Sequence, residues 1–271
     1  MKLIIKVLQI FSSKLVSRIA YNFMSNPRVR KLRDSEEKVL SKSTMEKIAY
    51  KNFQIQKYHW GNPNDKTALL IHGWEGQAGN FAAIIEVLLQ KKYSVVAFDA
   101  PAHGKSTIAK TNMFEFAEFL ESQFSIINPS LIISHSFGSV NTATIFRNNP
   151  DFNLNMWIMV TTPHRFLSRI NEISNHFGIK DKAKTKLIKR IQNDTNENIN
   201  QLDMAVYCKE LSNVRNTIIV HSKTDKVLPI EGAREVATAF VKSELIELEN
   251  LGHYSILWSD ELKEILLQNI K

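Results

Sequence analysis

A serine that closes one apolar run, with an aspartate and a histidine that close two later ones, are the residues whose types and order could do covalent chemistry. Ser136 follows the run LIISH in LIISHSFGS and precedes a helical pattern. A serine on a tight strand-to-helix turn exposes its Oγ and aims the backbone N–H of the next residue at the same space. Small residues flank such a turn because it packs closely; Gly138 meets that need, and Ser134 stands where a glycine is expected. A serine hydroxyl is a weak nucleophile near neutral pH. It needs an imidazole to take its proton, and the imidazole needs an acid to fix its tautomer. HSKTDKVLP puts Asp225 just past one apolar run, and NLGHYS puts His253 just past the next. Upstream, LLIHGW ends a run in His72-Gly73-Trp74, where a glycine turn can point the Trp74 N–H into the site. Paired with the Phe137 N–H, it would form an oxyanion hole.

Each of these residues also has a plainer reading: a serine in a polar turn, a turn-forming aspartate, a loop histidine satisfied by its neighbours. Their joint order, each after an apolar run, is what argues for catalysis. His135 adjoins the serine and cannot fold back on it, so it is expected to pack the elbow. His72 and His103 are expected to brace their loops, with substrate contact open to either. Metal ligation is not expected, because no H-E-x-x-H or similar spacing occurs. DAPAHGKS ends like a phosphate-binding loop, but Asp99 occupies the position of its first glycine and Pro101 has no N–H to donate. GWEGQAG spaces its glycines as G-x-x-G-x-x-G, which disfavours dinucleotide binding.

The elements that would position these residues are short. TALLIH, SVVAFDA, LIISH, MWIMVTT, NTIIVHS and SELIELEN are continuous apolar runs, as suits strands buried on both faces of a mostly parallel sheet. IAYKNFQIQKYHW alternates like one or two strands, and Asp34 to Lys47 reads as a helix. Helical patterns lie between the runs, including NFAAIIEVLLQ, MFEFAEFLESQF, VNTATIFRNN, IEGAREVATAFVK and SDELKEILLQN. Strand and helix in alternation predict a doubly wound α/β sheet, with ligands at the carboxyl ends of its strands. One connection is much longer than the rest: about residues 163–214, Lys- and Asn-rich, read as a helical cap over the strand ends.

The chain of 271 residues is expected to form a basic helical arm, residues 1–45, and one domain, residues 46–271. Its net charge of +8 is carried by Lys2, Lys6, Lys14, Arg18, Arg28, Arg30, Lys31 and Arg33, so the remainder balances to zero. Leu3, Val7, Ile10, Leu15, Ile19 and Phe23 make that segment amphipathic. Packing on the domain is the favoured reading; residues 1–33 as a peripheral contact with the inner membrane surface is the alternative. LIIKVLQIF, broken by Lys6 and Gln9, is not expected to act as a secretory signal. Basic charge without a recognition motif gives no reason to expect nucleic acid. Cys208 is the single cysteine, which fits a reducing cytosol.

HGW, FDAPAHGKS, SHSFGS, TDKVLP and LGHY together resemble the α/β-hydrolase superfamily, nearest to esterase- and lipase-like enzymes, from about Tyr50 to the C-terminus. The loop FDAPAHGKS departs from that family's D-x-x-G-x-G-x-S in having Ala102 for its first glycine. The resemblance implies a Ser136–His253–Asp225 triad, a cap after the sixth strand, no cofactor, and a small acyl ester or thioester as substrate. An acyltransferase, a C–C hydrolase or a non-catalytic binding protein of this fold are the alternatives; Ser134 and Ala102 are what favour the last.

Overall fold

The computed structural model describes residues 2–28 and 31–271; Met1, Val29 and Arg30, one of the eight basic residues of the first segment, lie outside the described residues. Eight strands form one sheet: β1 (Thr44–Tyr50), β2 (Phe53–Trp60), β3 (Thr67–Ile71), β4 (Ser94–Phe98), β5 (Leu131–His135), β6 (Leu154–Val160), β7 (Val214–Ser222) and β8 (Ser243–Leu248). Their spatial order is β1-β2-β4-β3-β5-β6-β7-β8. The β1–β2 hairpin lies along one edge, with β1–β2 and β2–β4 antiparallel, and the pairings from β4 onward to β8 are parallel.

The continuous apolar runs are explained by burial on both faces. Leu69, Ile71, Ile132, Trp157, Met159 and Ile219 point to one side, against α5 (Glu115–Ile127), α6 (Phe137–Asn148) and α10 (Ile230–Ala239). Leu70, Ile133, Ile158 and Val220 alternate to the other, against α3 (Asp34–Leu40), α4 (Ala82–Gln90) and α11 (Asp260–Asn269). Each such side chain contributes about 1.5–3 kcal/mol on leaving water, so period-two alternation between two covered layers fixes the register. The expected helix over Asp34 to Lys47 is shorter: α3 stops at Leu40, and Thr44 to Lys47 already belong to β1. There Thr44 pairs with His59 and Ile48 with Ile55, so hairpin pairing overrides the helical pattern of that stretch.

The long connection folds as α7 (Phe166–Phe177), α8 (Asp181–Thr195) and α9 (Met204–Glu210). The first segment forms α1 (Lys2–Phe11) and α2 (Ser13–Met24). The Ser12 hydroxyl caps α2 by accepting from Leu15 N at 3.2 Å. Ile5 and Val16 are buried with Ile179 and Ala183, so the arm packs on the α8 region, while Ile10 and Phe11 stay exposed. Among the described residues no helix is long and apolar enough to cross a membrane.

Candidate active site

The pairings Ile71 with Ser134, His135 with Val160, Val160 with Val220 and Ser222 with Leu248 bring the carboxyl ends of β3, β5, β6, β7 and β8 level. The residues after those ends therefore meet. Ser136 sits between β5 and α6 at φ 53° and ψ −125°, a conformation non-glycine residues rarely hold. Its N–H donates to the Val160 carbonyl at 3.0 Å, and Gly138 allows the close approach behind it. A Cβ at 138 would lie 2.2 Å from the Ile71 carbonyl oxygen. Ser134 is completely buried in a polar network of its own: its Oγ accepts from Trp157 Nε1 at 2.8 Å and lies 2.9 Å from Ser139 Oγ. A glycine there would leave the indole N–H unpartnered, which accounts for the departure from the family pattern. The other departure, Ala102, is buried at φ 66°, so an alanine carries the left-handed backbone for which glycine is the ordinary choice.

Ser136 Oγ lies 3.0 Å from His253 Nε2, and His253 Nδ1 lies 2.8 Å from Asp225 Oδ2. With Nδ1 donating to the carboxylate, Nε2 is left as the acceptor facing the serine. The second Asp225 oxygen accepts from the N–H groups of Val227 at 2.7 Å and Leu228 at 3.0 Å. Burial alone would raise the Asp225 pKa, but His253 and these two amides hold it below the ordinary carboxylate value. His135 does not reach the serine; its Nε2 donates to the His253 carbonyl at 2.8 Å and so fixes the loop that carries the imidazole. Burial lowers its pKa to about 3, with the neighbouring His253 adding to the effect, and it stays a neutral donor.

His72-Gly73-Trp74 packs directly on this elbow. A Cβ at Gly73 would come within 2.9 Å of the His135 carbonyl oxygen and of Ser136 Cβ, and 3.1 Å from Phe137 N. Among the described residues no acceptor takes the Trp74 or Phe137 N–H. His72 braces the turn: its Nε2 accepts from Ala100 N at 3.0 Å while Nδ1 donates to the Gly73 carbonyl at 2.7 Å. His103 Nε2 accepts from Glu75 N at 3.1 Å, and its Nδ1 donates to the Pro101 carbonyl at 2.8 Å. Burial lowers their pKa values to about 3 and about 4. The apparent phosphate loop is closed on itself, since the Asp99 carboxylate takes the N–H groups of Ala78 at 2.8 Å and Lys105 at 2.7 Å and the Tyr58 hydroxyl at 2.9 Å.

Three features were not foreseen from the sequence. Arg28 grips the Glu75 carboxylate through Nε at 2.7 Å and a terminal nitrogen at 2.8 Å, tying the basic segment to the turn that carries Trp74. A narrow cavity of about 10 Å³ adjoins that turn, walled by Gly73, Trp74, Met113, Phe116 and Phe137. Asn141 lines it as well, buried, with no hydrogen-bond partner for its Oδ1. Ser139, Thr142 and Thr144 make the start of α6 mixed in polarity, so no distinct signal in the sequence marks Asn141. From the insertion, Phe166 reaches Phe137 with ring centroids 6.0 Å apart.

A sequence model described as the alpha/beta hydrolase fold matches residues 67–178. An uncharacterized hydrolase of Bacillus subtilis, YugF, is 27% identical over 85 residues, which are 30% of this chain and 31% of that protein. A human serine hydrolase-like protein is 28% identical over 130 residues, 46% of this chain and 63% of that one. The chain thus spans less than two thirds of the length of these curated relatives. Among solved structures, the Pyrococcus furiosus esterase Pf2001 superposes with a TM-score of 0.63 at 16% identity, covering 90% of this chain and 96% of its own. The thioesterase domain from the curacin biosynthetic pathway gives 0.60 at 15% identity, covering 83% and 99%. With this strand order, and with that match running from β3 through the elbow into the insertion, the chain has the α/β-hydrolase fold.

Proposed function

We propose that the chain is a serine hydrolase that cleaves a small carboxylic ester or thioester through an acyl-enzyme. The observation that carries this reading is the hydrogen-bonded line from Ser136 Oγ through His253 to Asp225, at 3.0 and 2.8 Å. In the first half-reaction His253 Nε2 takes the serine proton as Oγ adds to the acyl carbon. The resulting oxyanion is held by the Trp74 and Phe137 N–H groups. Asp225 stabilises the imidazolium, which then protonates the departing alcohol or thiol. Water, deprotonated by the same imidazole, releases the acid in the second half-reaction and restores the serine hydroxyl. Such backbone donors are worth about 2.7–4 kcal/mol each in the transition state because they are already oriented.

The narrowness of the cavity beside the elbow supports a short acyl group. About 10 Å³ is room for about one water molecule, so Met113, Phe116 and Phe137 would abut an acyl chain of more than a few carbons. Ser136→Ala tests the assignment: turnover of short acyl esters is expected to fall by about 10³-fold or more in a protein that still melts cooperatively. Turnover at the wild-type rate would refute it.

A further inference from the structure

A second cavity, of about 490 Å³, opens between α2 and α8, away from the nucleophile. Lys14, Lys110, Lys186, Lys189 and Arg190 line it, with Asp194 as the one acidic residue of its wall. Some basic side chains elsewhere on the surface are paired, as Lys51 is with Glu118, Arg147 with Glu210 and Arg234 with Glu247. Among the described residues none of these five forms an ion pair. Three come from α8 and one each from α2 and the loop before α5, so the fold itself gathers like charges from distant parts of the chain. Their mutual repulsion acts against the packing of α2 on α8 unless an anion offsets it.

Two of the lining residues carry buried polar atoms. Arg190 Nε is buried without a hydrogen-bond partner, and so is the hydroxyl of Tyr21, a residue only 5% exposed. Burial, and then the neighbouring Asp194 carboxylate, push the Tyr21 pKa up to about 12, so the hydroxyl keeps its proton. Lys110 Nζ and Arg190 Cζ stand 4.4 and 5.8 Å from the Tyr21 ring centre. A monovalent carboxylate would balance little of this charge, whereas a phosphoryl group presents several oxygens to a guanidinium and to ammonium groups at once. The volume lies in the range of small-molecule sites, about 300–1,000 Å³, so the phosphoryl group can bring an organic body with it.

We propose that the cavity between α2 and α8 is a binding site for a phosphoryl-bearing anion, either a soluble phosphate ester or the headgroup of an anionic phospholipid. This goes beyond the hydrolase reading and does not depend on it. Calorimetric titration of the full chain with inorganic pyrophosphate and with glycerol 3-phosphate, at constant ionic strength set by sodium chloride, reads the soluble source. Co-sedimentation with phosphatidylglycerol vesicles against phosphatidylcholine vesicles reads the lipid source. Saturable binding in either arm is expected, weakened by about tenfold or more in Arg190→Gln. The pair Lys186→Gln and Lys189→Gln, at exposed positions that spare the fold, is expected to act likewise, and Arg234→Gln on α10, outside the cavity lining, to change nothing. No saturable binding in either arm, or binding that these cavity substitutions leave untouched in proteins with wild-type melting curves, overturns the proposal.

Discussion

At the scale of single residues, the site rests on side chains that hold others in place. Asp225→Asn would keep the size of the side chain and lose the charge that fixes the His253 tautomer, and kcat is expected to drop by about 10⁴-fold with little change in KM. His135→Phe removes the donor to the His253 carbonyl while keeping a ring in its place. Steady-state kinetics are expected to show kcat lowered by about tenfold at nearly constant KM, as suits a positioning residue. Ser134→Gly would restore the family's usual residue at a cost: with the Trp157 indole N–H left unpartnered, urea titration is expected to show a loss of about 1–3 kcal/mol in stability. Activity per folded molecule should persist, because Ser134 touches neither His253 nor the nucleophile's Oγ.

At the scale of elements, specificity and turn geometry come from segments far apart in sequence. Phe116 on α5 walls the narrow cavity, so Phe116→Ala is expected to move the preference from acetyl toward longer acyl esters by about tenfold in relative kcat/KM. An unchanged acyl-length profile would show that the chain enters elsewhere. The strands and the elbow were legible in advance because burial on both faces writes itself as continuous apolar runs. The order serine, aspartate, histidine, each just past such a run, likewise survives without a structure. Three-dimensional coincidences were not legible. Nothing in the residues around Lys14 announces Arg190 across from it, nothing around Arg28 announces Glu75, and an asparagine in α6 reads as surface until its amide proves buried. The stretch from Ser41 to Lys47 was misread for a related reason, since its own pattern is weak and its pairing with β2 decides its conformation.

At the scale of the whole molecule, the buried histidines make the fold acid-sensitive. His72 and His135 titrate at about 3 and His103 at about 4 when folded, because burial disfavours the imidazolium. Once unfolded they titrate near about 6.5, so the unfolded chain binds more protons between those values. The stability they contribute is complete above pH about 6.5 and is lost as pH falls toward their folded values. Asp225, with a lowered pKa, adds to the loss at the acid end; Asp99, raised by burial, offsets part of it. Scanning calorimetry from pH 7 down to about 4 is expected to show a falling Tm, and a flat or rising Tm would contradict these environments.

The central claim is that Ser136, alone among the three serines near the elbow, is a nucleophile activated by His253. Treating the folded protein with a fluorophosphonate and mapping the adduct by mass spectrometry tests it most directly. The account predicts a single adduct on Ser136, lost in His253→Ala and absent from Ser134 and Ser139. An unlabelled protein, or an adduct on either neighbouring serine, would contradict it.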